Sequence, residues 1–147
     1  MIDVQRQLLP YSVEQMFDLV ADVGRYPEFL PWVTDARVRR QGARTLLVSM
    51  AVASGPLRKR FTTLAVLDRP NRIDVGSTDP LFTRFRQRWT FERAGECSTL
   101  VEYALDFKFR SSLLQMLVGA AFGRQATATM AAFTRRAKEL YGKTVCT

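Results

Sequence analysis

A chain of 147 residues, 47% of them hydrophobic, suits one packed core and lies well outside disordered composition. Histidine is absent, which excludes Ser/His and Cys/His nucleophile pairs, imidazole general bases and every histidine-containing zinc site. The net charge of +8 brings anionic partners into consideration.

The chain opens with a strand, because Ile2, Val4 and Leu8 alternate with polar positions up to Pro10-Tyr11. Ser12 then has Gln15 three residues on, the spacing of a capping box. Val13, Met16, Phe17 and Val20 form one face of a short helix that stops near Gly24. Two prolines bracket the apolar stretch Tyr26-Pro27-Glu28-Phe29-Leu30-Pro31-Trp32-Val33. No long helix can run through it, and it is expected to cap one end of the core.

Strands follow. Leu46, Val48, Met50 and Val52 alternate, as do Phe61, Thr63, Ala65 and Leu67, and Ile73 with Val75 makes a short strand. Phe85, Trp89 and Phe91 alternate against Arg84, Arg86 and Arg88, and Val101, Tyr103, Leu105, Phe107 and Phe109 against Glu102, Asp106 and Lys108. Turns at Gly55-Pro56, Arg69-Pro70-Asn71, Thr78-Asp79-Pro80 and Ala94-Gly95-Glu96 separate them. Such alternation describes antiparallel strands with one wet and one buried face. It also puts Glu102 and Asp106 outside, in water, where acid–base work is not expected of them.

From Ser111 the period becomes helical. Leu114, Val118, Phe122, Ala126, Met130, Phe133, Ala137 and Leu140 predict one continuous helix to about Tyr141, stopped by Gly142. Its first part, Leu113 to Ala121, is apolar almost all round, so that end is either enclosed or presented to a greasy partner. With no repeat, linker or low-complexity tract, the chain reads as one α+β domain over residues 1–147.

The basic excess is spread over three short groups: Arg37, Arg39 and Arg40; Arg58, Lys59 and Arg60; Arg84, Arg86 and Arg88. Each lies in a strand-like segment, where it reads as a solvated face, with acidic lipid and RNA as the open alternatives. Cys97 and Cys146 share no metal-like or redox-like spacing and are expected to be free thiols of a reducing compartment. No targeting segment is visible and no apolar stretch is long enough to span a bilayer. A cytoplasmic protein, at most peripheral to the inner membrane, is expected.

The Tyr26-Pro27-Glu28-Phe29-Leu30-Pro31-Trp32 stretch resembles the coenzyme-Q-binding branch of the START-like (polyketide cyclase/dehydrase and lipid transport) superfamily, whose bacterial members are also called ribosome-association toxins. Asp79-Pro80-Leu81-Phe82 followed by Phe85 and Trp89-Thr90-Phe91 is similar too, as is the entry Phe107-Lys108-Phe109-Arg110-Ser111-Ser112-Leu113-Leu114. The resemblance covers essentially the whole chain. It implies a helix-grip fold, with a curved antiparallel sheet wrapped around the C-terminal helix and an elongated apolar cavity between them.

It further implies a lipid chaperone that holds ubiquinone or a related polyprenyl lipid as a ligand, not a cofactor, in support of respiratory electron transport. The alternative it carries is a ribosome-binding regulator that blocks subunit association through rRNA. A cyclase is the third reading, disfavoured because the inward positions are almost wholly apolar. The expected cavity wall comprises Phe29, Trp32, Met50, Phe61, Phe82, Phe85, Trp89, Tyr103 and Phe107, with Leu117 and Ala121 from the last helix. Tyr103 is the candidate hydrogen-bonding anchor. No catalytic or metal-binding residue is expected, and the oligomeric state stays open.

Overall fold

The chain begins with β1 (Ile2–Leu9) and turns into α1 (Val13–Ala21) through the capping box read from the sequence. The Gln15 backbone N–H donates to Ser12 Oγ at 3.1 Å, and the Ser12 N–H donates to Gln15 Oε1 at 2.9 Å. A 3₁₀ segment over Val23–Glu28 follows, the tight geometry a short Pro27-containing stretch can adopt. Then come β2 (Val33–Arg40), β3 (Thr45–Ser54), β4 (Leu57–Asp68), β5 (Arg72–Gly76), β6 (Phe82–Gly95), β7 (Ser98–Phe109) and α2 (Ser112–Tyr141). This computed structural model describes residues 2–55 and 57–142, without the side chains of residues 2, 54, 119–123 and 126.

The strands make one seven-stranded antiparallel sheet in the order β1-β7-β6-β5-β4-β3-β2. From β2 to β7 every strand pairs with its sequence neighbour, and β1 joins the far edge by pairing with β7. The burial alternation predicted for β4, β6 and β7 is present, with Phe61, Thr63 and Ala65, then Phe85, Trp89 and Phe91, then Val101 to Phe109 facing inward. The architecture is the α+β helix-grip that was expected.

α2 runs unbroken for 30 residues. Ser111 Oγ accepts the Leu114 N–H at its start, and Gly142 closes it with φ of +67°, a conformation that favours glycine. The helix packs chiefly on β1 and β7. Its far end is tied to α1: the Tyr11 phenol donates to the Gly142 carbonyl at 3.0 Å, and the Tyr141 phenol to the Gln15 carbonyl at 3.1 Å. Arg136 clamps it to the 3₁₀ segment, bonding Glu28 at 2.6 Å with its guanidinium 5.2 Å from the Phe29 ring centre.

Two expectations need correction, at Cys97 and at Lys59. Cys97 is disulfide-bonded, not free; spacing along the chain carries no signal for a pairing made only in three dimensions, and Cys146 lies outside the described residues. Glu102 and Asp106 do lie on the outer face, but as ion-pair partners of Arg6 at 2.7 Å and Arg84 at 2.9 Å on neighbouring strands. Lys59 does not share the outer face with Arg58 and Arg60. It follows Leu57 and precedes Phe61 on the inner row of β4, opposite Val52, and is nonetheless exposed.

Candidate functional site

Because α2 lies over the β1–β7 side, the inner rows of β3 to β6 face a space that the helix covers only from one flank. There the structure leaves a cavity of about 90 Å³. Its floor is the inward row of each strand in turn: Val48 and Met50, then Phe61 and Thr63, then Ile73, then Phe85 and Trp89. Val20 of α1, Tyr26 of the 3₁₀ segment and Trp32 close one end, while Gln125, Thr129 and Phe133 reach in from α2.

Aromatic rings set the shape. Trp89 stacks on Tyr103 with centroids 4.4 Å apart and meets Phe133 edge-on at 5.0 Å. Phe133 also packs edge-on against Tyr26 and Phe29, at 5.3 and 5.0 Å, so the proline-bracketed stretch does cap the core as predicted.

The polar content is small. Gln87 Nε2 donates to the Tyr103 phenol oxygen at 2.9 Å, in a wall otherwise built of Trp89, Leu105 and Phe85. Burial pushes the Tyr103 phenol well above its usual range, against a weaker lowering by the Gln87 hydrogen bond. Tyr26 is pushed up in the same way, first by burial and then by Tyr103 and Asp22, and its hydroxyl donates to the Val20 carbonyl. Both phenols are therefore neutral donors at any physiological pH. Among the described residues no carboxylate, amine or guanidinium lines the cavity. What this site can do chemically is exclude water, hold apolar groups and offer a few hydrogen bonds.

Six of the predicted wall residues line it: Trp32, Met50, Phe61, Phe85, Trp89 and Tyr103. Phe29 packs behind the wall on Phe133 and Arg136, and Phe82 fills the gap between Phe61, Phe85 and Phe109. Phe107 keeps to the inner row but is fully buried against Phe109. Leu117 is 59% exposed, because Leu114 and Val118 turn inward and Leu117 sits about 100° round the helix from Val118. The side chain of Ala121 is outside the described residues. Reading aromatics alone missed Gln87, although its parity with Phe85 and Trp89 places it inward. It also missed Tyr26, Thr63, Gln125 and Thr129.

The cavity is small. It is smaller than the ~150 Å³ apolar void that accepts a benzene ring, so a larger ligand enters only as the walls part.

Residues 9–134 match the family described as polyketide cyclase / dehydrase and lipid transport. The chain belongs to that family. Within it, a ribosome association toxin RatA of Pseudomonas aeruginosa is 37% identical over 140 residues, covering 95% of this chain and 97% of that one. A mitochondrial coenzyme Q-binding protein COQ10 homolog B of Xenopus laevis is 26% identical over 145 residues, covering 95% of this chain and 59% of the relative. The crystal structure of the Zhui aromatase/cyclase, from a Streptomyces, superposes with a TM-score of 0.82, covering 94% of this chain and 93% of that one. At 16% identity, that last likeness is one of fold.

Proposed function

We propose that the protein binds a polyprenyl quinone such as ubiquinone, or a lipid of the same kind, and does no chemistry on it, serving respiratory electron transport as a lipid chaperone. The observation that carries this reading is the largely apolar cavity with the Gln87–Tyr103 pair in its wall. Gln87 donates into the Tyr103 oxygen, which leaves the phenol's own hydrogen to point at an acceptor, and a quinone carbonyl is such an acceptor. The absence of charged side chains from the described wall leaves nothing to move a proton at neutral pH. A tail adds affinity at about 0.8 kcal/mol per buried CH₂ once the walls part. The COQ10-like relative supports the same ligand class.

Trp32 and Trp89 line the cavity, so a bound quinone quenches their fluorescence. Titration with ubiquinone of short tail length should give saturable quenching in detergent. Phe85→Ala and Tyr103→Phe should weaken it, and native mass spectrometry of purified protein should show a co-purifying lipid. Unsaturable quenching together with lipid-free protein would sink the proposal.

A second reading, a cytoplasmic regulator of ribosomal subunit association, is favoured by the RatA-named relative and by outward arginines such as Arg58 and Arg86. On that reading, added protein would deplete joined ribosomes in sedimentation, with a steep salt dependence. Phe85→Ala would then act only through stability.

A further inference from the structure

The first turns of α2 carry three of the four most exposed large apolar side chains described in the protein: Leu113 at 61%, Met116 at 74% and Leu117 at 59%. Their spacing of three and four residues puts them on one helix face. Beside that face, Leu113, Leu114 and Leu117 border a groove whose remaining wall includes Lys59 from the end of β4 and Arg110 from the entry to α2. Among the described residues no carboxylate lines it. From Lys108 to Lys138 the chain contains no acidic residue at all, while Lys108, Arg110, Arg124, Arg135, Arg136 and Lys138 are basic.

The groove is also built to hold its shape. Arg110 Nε donates to the Pro80 carbonyl at 3.1 Å and its backbone N–H to the Leu81 carbonyl at 3.0 Å. Asp79 accepts the Leu81 and Thr62 N–H groups at 3.0 and 3.1 Å, tying the same loop to β4. An apolar helix face thereby stands outward beside Arg110, whose guanidinium is held in place.

We propose that this face, Leu113, Met116 and Leu117 with Lys59 and Arg110, docks the protein onto an anionic lipid bilayer. A bilayer supplies both things the surface lacks, an apolar phase for three leucine-sized side chains and phosphates for the cations. RNA would match the charge but leave the apolar face wet. A second copy related by a two-fold axis would cover the leucines but bring Lys59 and Arg110 close to their own counterparts, like against like. No helix of the described residues is long and apolar enough to cross a membrane, so the attachment is peripheral. The proposal rests on these surface residues alone and stands whichever ligand the cavity takes.

The test is co-sedimentation of the full chain with vesicles of phosphatidylcholine alone, and of phosphatidylcholine and phosphatidylglycerol in equal parts. The protein should pellet with the anionic vesicles only. Combined Leu113→Ser, Met116→Ser and Leu117→Ser changes should cut that binding by about tenfold or more, and Lys59→Glu with Arg110→Glu by a similar factor. All five are exposed positions, and unchanged circular dichroism and thermal midpoints would show that the variants fold. Leu8→Ser with Val38→Ser, two exposed apolar residues elsewhere on the sheet, should leave binding intact.

Equal binding by the serine variant would overturn the proposal, since adsorption would then be purely electrostatic. A dimer in the ultracentrifuge that the serine variant dissolves would overturn it in favour of a second copy. Loss of ribosomal-subunit binding by the Lys59 variant, with no vesicle binding by the parent protein, would overturn it in favour of RNA.

Discussion

Tyr103 and Gln87 hydrogen-bond across adjacent strands at 2.9 Å in a largely apolar cavity wall. Tyr103→Phe leaves the half-buried Gln87 amide without that acceptor and should destabilise the protein by about 1 kcal/mol in urea unfolding. Adding Gln87→Leu removes the stranded donor, so the double variant should lose clearly less than the two single losses together. Strict additivity would show that the pair is not coupled. Arg136 offers a second residue-scale case. Its side chain is only 14% exposed, its Nε has no partner, and Glu28 is its short ion-pair contact. Glu28→Gln should therefore cost about 2 kcal/mol, roughly 4–8 °C in thermal midpoint for a chain of this size. At this scale the sequence was partly readable. Parity along β6 and β7 picks out Phe85, Gln87, Trp89 and Tyr103 as inward. It cannot separate a ring that lines space from one that fills it, which is why Phe82 and Phe107 were expected on a wall and lie in packing.

Local chemistry decides where the helices begin and end. Ser12 with Gln15 is a complete capping box, and Ser12→Ala should cost about 1 kcal/mol, visible as a lowered urea midpoint with an unchanged slope. A change in slope would mean that the denatured state had altered instead. The same reasoning made most elements legible. Five runs of period two became β3 to β7, and the 3.6-residue period after Ser111 became α2 within a residue of the expected bounds. β2 left a weaker imprint: it is an edge strand whose second half, Arg37 to Arg40, is exposed, so no alternating apolar row marks it. The inner row of β4 was misread at Lys59 for the opposite reason. Charge in a basic triplet looks like one solvated face, but consecutive strand residues point to opposite sides.

Across the whole molecule the cavity exists because α2 leans on β1 and β7 and leaves the inner rows of β3 to β6 partly uncovered. That tilt is a property of packing between elements distant in sequence, and no local pattern encodes it. The same arrangement buries Tyr103, packs the half-buried Tyr26 against the core and makes stability depend on high pH. Burial raises both phenols above the value near 10 that they have in the unfolded chain, and raises Tyr141 in the same direction. Because the folded state holds these protons more tightly, its advantage is complete below pH 10 and is lost as pH rises beyond it. Unfolding free energy should therefore show no tyrosine-linked slope between pH 6 and 9 and should fall above about 10, where the unfolded chain binds fewer protons. Tyrosinate absorbance at 295 nm reports the same linkage. Of the four tyrosines, Tyr26 and Tyr103 should ionise only as far-ultraviolet circular dichroism is lost. If all four ionised near pH 10 with the circular dichroism intact, the phenols would be wet, and the dry wall on which the ligand site depends would not exist.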